Sequence, residues 1–219
     1  MQPIAGAQHK AKHMRHSLRE RRKQQLRDEI LDAARTLLDQ NGMAAVVMDE
    51  LATLAGISKP TLYNHFPSGK DEVIAALIAR EIHRILAITD PKDCVGTPLQ
   101  ELGRILEMIV QKQINDQRQP TRIWFPEMNR LIYDHPEMMD AFSKLEERMS
   151  TLIQAALDMG EIDPRFDTPT IMRAFYALVT CLHFQPSSMI GIPNPQSTPQ
   201  NLARLFCRGV QSAVGTAKG

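Results

Sequence analysis

Residues 51–66 read Leu51-Ala-Thr-Leu-Ala-Gly56-Ile-Ser-Lys-Pro-Thr-Leu-Tyr-Asn-His-Phe66, and the fold follows from this stretch. Leu51, Ala52, Leu54 and Ala55 form a short apolar pattern that ends at Gly56. Ser58 then stands where a helix N-cap is expected, with Pro60 in the first turn, where a missing N–H costs nothing. Two short helices therefore meet at a glycine free to take positive φ, the arrangement of a helix-turn-helix. Small or aliphatic side chains sit where the helices approach, and Ile57, Leu62 and Phe66 anchor the second helix. Its outward residues are Lys59, Thr61, Tyr63, Asn64 and His65, hydrogen-bonding groups suited to base edges and phosphates in a major groove.

The surrounding sequence is helical as well. Leu26, Ile30, Ala33, Ala34, Leu37 and Leu38 share one helical face, and Asn41-Gly42 closes that segment as a C-cap pair. After Pro67-Ser68-Gly69, the residues Val73, Ile74, Leu77, Ile78, Ile82, Ile85 and Leu86 mark a long helix that Asp90-Pro91 ends. Further on, Thr97-Pro98, His135-Pro136, Thr168-Pro169 and Thr198-Pro199 each set a proline after a candidate N-cap or turn residue and before an apolar-periodic stretch. Pro120 and Pro126 divide residues 115–134 into short pieces, and 185–196 reads as a loop. No segment alternates like a strand, so the expectation is an all-α chain of about nine helices. A compact amino-terminal bundle leads into a larger carboxy-terminal one.

Composition narrows the classes. The chain has 219 residues, 43% hydrophobic and 23% charged, which suits a globular protein with a substantial core. Its three cysteines, Cys94, Cys181 and Cys207, are far apart and odd in number, which fits neither a disulfide framework nor a metal or redox pair. A reducing cytoplasm is the expected location. No apolar run is long enough to span a membrane, and the basic start lacks the apolar segment of a secretory signal. Metal-ligand and nucleophile motifs are missing too, so no cofactor, metal or catalytic residue is assigned. The net charge of +1 conceals a basic block: eight Lys and Arg and one acidic residue, Glu20, lie between Lys10 and Arg27. Such a block can follow a polyanion, along phosphates or into an adjacent minor groove, or it can be a solvated tail.

Ile30 to Gly42, Leu51 to Phe66 and Pro67 to Glu72 together closely resemble the DNA-binding domain of the tetracycline-repressor (TetR) family of transcriptional regulators. The resemblance covers residues 27 to about 78. It divides the chain into a flexible basic arm (1–26), a helix-turn-helix DNA-binding domain (27–78) and a ligand-binding and dimerisation domain (79–219). It implies a homodimer on near-palindromic operator DNA, usually a repressor, with a small-molecule effector. Carried over position by position, Lys59, Pro60 and Thr61 open the base-reading end of the recognition helix. Tyr63, His65 and Lys70 match phosphate contacts, and Asn64 lies on the same exposed face. Where the family commonly has Thr, this chain has Val47, which offers no hydroxyl and leaves Asp49 as the candidate cap.

In the family the closing helix pair forms the dimer interface, which here points to Phe175, Leu178, Leu182, Leu202, Leu205, Phe206 and Val210. A largely apolar effector would be lined by Trp124, Phe125, Met128, Met138, Phe142, Met149 and Phe175. The reason is the density of adaptable Met side chains beside a proline-broken segment, although side chains at helical spacing equally make ordinary core. The alternative is a DNA-binding dimer without a small-molecule effector, regulated by a protein partner.

Overall fold

The computed structural model describes residues 5–41, 46–89, 96–115, 125–181, 194 and 196–212. They form nine α-helices: α1 (Ala5–Asn41), α2 (Met48–Leu54), α3 (Lys59–His65), α4 (Lys70–Ile88), α5 (Pro98–Asn115), α6 (Phe125–Asp134), α7 (Pro136–Asp158), α8 (Thr168–Thr180) and α9 (Thr198–Val210). Extended pairing among the described residues amounts to an isolated bridge between Ile162 and Gln211. None of the described helices is long and apolar enough to cross a membrane. The chain is all-α, as its periodicity requires.

Two compact units emerge, Met1–Leu77 and Ile78–Gly219. The core of the first gathers Ile30, Leu31, Ala34, Leu37 and Leu38 of α1 around Leu51, Ala52, Leu62, Phe66 and Val73. Gly56 takes φ +66° between α2 and α3, a left-handed turn that a residue with a Cβ adopts only at a cost. Ser58 caps α3 by accepting the Thr61 N–H at 3.3 Å.

The second unit packs Leu102, Ile105, Leu106 and Val110 of α5 against Met149, Leu152 and Ile153 of α7, Phe175 of α8, and Phe206 and Val210 of α9. Helices α5 and α9 approach so closely at Gly103 that a Cβ there would lie 2.7 Å from Cys207 Sγ. The end of α9 is tied to the α7–α8 connection, because Asp163 N–H donates to Val210 O and Ser212 N–H to Glu161 O, each at 2.9 Å. Two of its buried polar groups are paired: Arg104 grips Glu101, and Arg148 donates twice to the Thr89 carbonyl.

Three boundaries differ from the sequence expectation. Helix α1 begins at Ala5 and not near Leu26, so the arm from residue 5 is helical instead of irregular. Ala, Arg, Lys, Gln and Leu dominate residues 5–27 without Pro or Gly beyond Gly6, and such residues propagate a helix that has already nucleated on a packed segment. Helix α8 is capped one residue earlier than Thr168, by Asp167, whose side chain accepts the Thr170 N–H at 2.8 Å. That bond holds the Asp167 carboxyl below its ordinary pKa. Likewise the N-cap of α9 is Ser197. The expected C-cap at Gly42, the 185–193 part of the loop and the break at Pro120 lie outside the described residues.

Candidate nucleic-acid interface

The site is built on α3, a helix held by two side chains. Leu62 and Phe66 are wholly buried, at 0% exposure. That leaves Lys59, Pro60, Tyr63 and Asn64 exposed and Thr61 and His65 half-buried on the opposite side. A seven-residue helix with so few anchors can present the rest of its surface to a groove. Lys70 is half-buried at the start of α4, where the positive helix end favours an anion. The turn before α4 is closed by Glu72, which accepts the Ser68 N–H at 2.8 Å. At Gly69, with φ +74°, a Cβ would sit 3.9 Å from the Tyr63 ring, so Tyr63 and Lys70 flank one short turn.

Two residues outside the expected contacts shape this surface. Asp49 does not cap α2: Val47 is the N-cap residue without a side-chain bond, and Asp49 Oδ2 accepts from Lys59 Nζ at 2.6 Å. Both partners are well exposed, so the pair adds little stability, but it restrains the lysine that opens the recognition helix. Arg27 packs its guanidinium 4.4 Å from the centre of the Phe66 ring and donates to the His65 carbonyl at 3.1 Å. This locks the carboxyl end of α3 to α1. Arg27 is visible in the sequence only as one member of the basic block, and nothing in its spacing marks it as a clamp.

His65 lies below its ordinary pKa, first because of burial and then because of the positive Lys23 and Arg27 beside it. Its Nδ1 is buried without a hydrogen-bond partner. A histidine whose folded value is depressed binds fewer protons than the unfolded chain, so the stability it contributes is present above its unfolded value and is lost as pH falls through and below it. Melting of the wild-type chain should therefore weaken on acidification through about pH 6.5 more steeply than that of His65→Gln. Parallel curves for the two proteins would contradict this environment.

Residues 30–77 match the family of bacterial regulatory proteins known as the tetR family. Those residues form a tetR-type regulatory domain, and the chain is similar to TetR-family DNA-binding transcriptional regulators. Its match to HTH-type transcriptional regulator SrpR of Pseudomonas putida is 26% identical over 170 residues, covering 74% of this chain and 75% of the relative. Among solved structures, the fatty acid degradation regulator FadR of Bacillus halodurans superposes with a TM-score of 0.67 at 15% identity. It covers 83% of this chain and 94% of that one. FadR from Bacillus subtilis, solved in complex with stearoyl-CoA, gives a TM-score of 0.65 at 12% identity over 84% and 98% of the two chains. At such identity the structural likeness speaks to the TetR-family fold alone.

In the second unit the expected site residues separate. Met138, Met149 and Phe175 are buried in the core, and Phe142 packs partly against it. Trp124 lies outside the described residues, as do the side chains of Phe125 and Met128. Of the expected interface, Phe206 and Val210 are buried by the chain's own core, with Phe206 edge-on to Phe175 at 5.5 Å. Leu178 and Leu202 are half-buried, Leu205 is 63% exposed, and Leu182 lies outside the described residues. Among the described residues, buried Gln113 Oε1 on α5 and Tyr176 Oη on α8 have no hydrogen-bond partner. Burial, with a smaller effect from Glu146, pushes the Tyr176 hydroxyl up to about 12, so it stays a donor at any physiological pH.

Proposed function

We propose that this regulator is a cytoplasmic homodimeric repressor that binds near-palindromic operator DNA through residues 27–78 and is released by a largely apolar ligand held in residues 79–219. The observation that carries the DNA half is the division of α3. Leu62 and Phe66 are buried, while Lys59, Thr61, Tyr63, Asn64 and His65 remain on the other side. Lys59, Pro60 and Thr61 read bases, and Tyr63, His65 and Lys70 position the protein on phosphates. Asp49 orients Lys59 before DNA arrives.

The ligand half is supported by the stearoyl-CoA complex of Bacillus subtilis FadR and by the unpartnered Gln113 and Tyr176 atoms, which offer an acceptor and a donor inside the unit. For the dimer, the support is the apolar side chain that α9 leaves outside the core, Leu205, together with the half-buried Leu178 and Leu202. Phe175, Phe206 and Val210 of the expected interface serve the subunit's own interior.

The division of roles is tested with two variants on a series of operator mutants. Lys59→Ala should relax discrimination at one half-site position by about 1–3 kcal/mol. Lys70→Ala should weaken all duplexes alike and flatten the dependence of log K on log salt by about one unit per bound subunit. Uniform losses for both variants would overturn the assignment.

A further inference from the structure

We propose that the DNA-contacting surface continues from α3 onto the amino-terminal part of α1, where Arg19, Arg22 and Lys23 bind phosphates flanking the operator. The inference rests on the operator reading and extends it to DNA that α3 does not touch. Its first support is continuity. Arg27 joins α1 to the end of the recognition helix through the His65 carbonyl and the Phe66 ring. Lys23, one turn earlier, is near enough to His65 to disfavour its protonation.

The second support is charge and geometry. Arg19, Lys23 and Arg27 are spaced i, i+4, i+8, and Arg22 falls beside them, so they share one edge of a straight helix. Arg19, Arg22 and Lys23 are exposed, and no ion pair with a described residue neutralises them. Only Glu20 interrupts the basic run. Residues 18–25 are exposed throughout, with Leu18 half-exposed, so this length of helix buries nothing of its own unit.

The third is reach. At 1.5 Å per residue, the basic run from Arg27 back to Lys10 covers about 26 Å of helix axis, comparable to seven or eight base pairs of duplex at roughly 3.4 Å each. A helix made of long cations with no apolar stripe gains from phosphates whatever the sequence, so the contact adds affinity without base preference.

The test uses a duplex selected by the full chain from a random library, prepared with long flanks and with flanks trimmed to the operator edges. It compares the wild type with the triple variant Arg19→Gln/Arg22→Gln/Lys23→Gln. The wild type should bind the long duplex more tightly than the trimmed one, and the variant should not distinguish them. Three lost phosphate contacts per subunit, six per dimer, lower the salt slope by about 5.4, so from 50 to 200 mM salt the wild type should lose roughly 1,800-fold more affinity than the variant. The double variant Arg19→Lys/Arg22→Lys, with Lys23 retained, should behave as wild type, which separates charge from helix damage.

If wild type and variant share the same flank dependence and slope, the arm does not touch DNA and the proposal is overturned while the operator reading stands. A wild-type chain that enriches no duplex at all overturns both.

Discussion

Phe66→Ala should cost the amino-terminal unit about 3–5 kcal/mol, the range for emptying a buried aromatic site, which is a large share of a small domain's stability. The side chain is fully buried among Ile30, Leu38, Leu51 and Leu62, and it also carries the Arg27 guanidinium on its face. Its removal therefore opens a cavity and frees the clamp between α1 and α3. Chemical denaturation followed by amide exchange on α1–α3 is the measurement, and DNA binding should fail in parallel because the recognition helix loses one of its two anchors. Phe66→Leu should recover most of the stability. A loss below about 1 kcal/mol for the Ala variant would mean that α3 is held by something other than this packing.

Neighbouring residues on α9 should behave in opposite ways. Phe206 is 3% exposed and stacks edge-on to Phe175, so Phe206→Ala should destabilise the carboxy-terminal unit by about 3–5 kcal/mol. Leu205 is 63% exposed, so Leu205→Glu should leave melting nearly unchanged while shifting the chain toward monomers in sedimentation. A Leu205→Glu protein that stays dimeric would remove this face from the interface. A Phe206→Ala protein that melts like wild type but dissociates would return Phe206 to it.

That contrast shows where the sequence is informative. Apolar periodicity identifies which side chains are buried, but it cannot say whether another helix of the same chain or a second subunit covers them. Phe206 and Leu205 are consecutive apolar residues, and only the packing of α9 on α5 and α8 separates their roles. The helix-turn-helix was legible because its signals are local: Gly56 for the turn, Ser58 for the cap, Leu62 and Phe66 for the anchors. Missed were the interactions that span the sequence. Asp49 meets Lys59 ten residues away and Arg27 meets His65 across 38, and no periodicity encodes either.

The extent of α1 was underestimated for a different reason. Searching for an apolar face finds where a helix packs, whereas residues 5–25 have no such face and continue the helix with residues of high helix propensity. Conversely, the expected cap at Asp49 failed because Asp49 is the second residue of α2, past its N-cap, and its carboxylate meets Lys59 instead.

Selection of duplexes from a random library by the full-length chain tests the central claim most directly. The account predicts enrichment of two inverted half-sites whose centres lie about one helical turn, or a multiple of it, apart. Enrichment should be abolished at specific positions by Lys59→Ala and Thr61→Ala but only weakened overall by Lys70→Ala. No enriched sequence, or a single half-site bound equally well by all three variants, would contradict a dimer that reads DNA with α3.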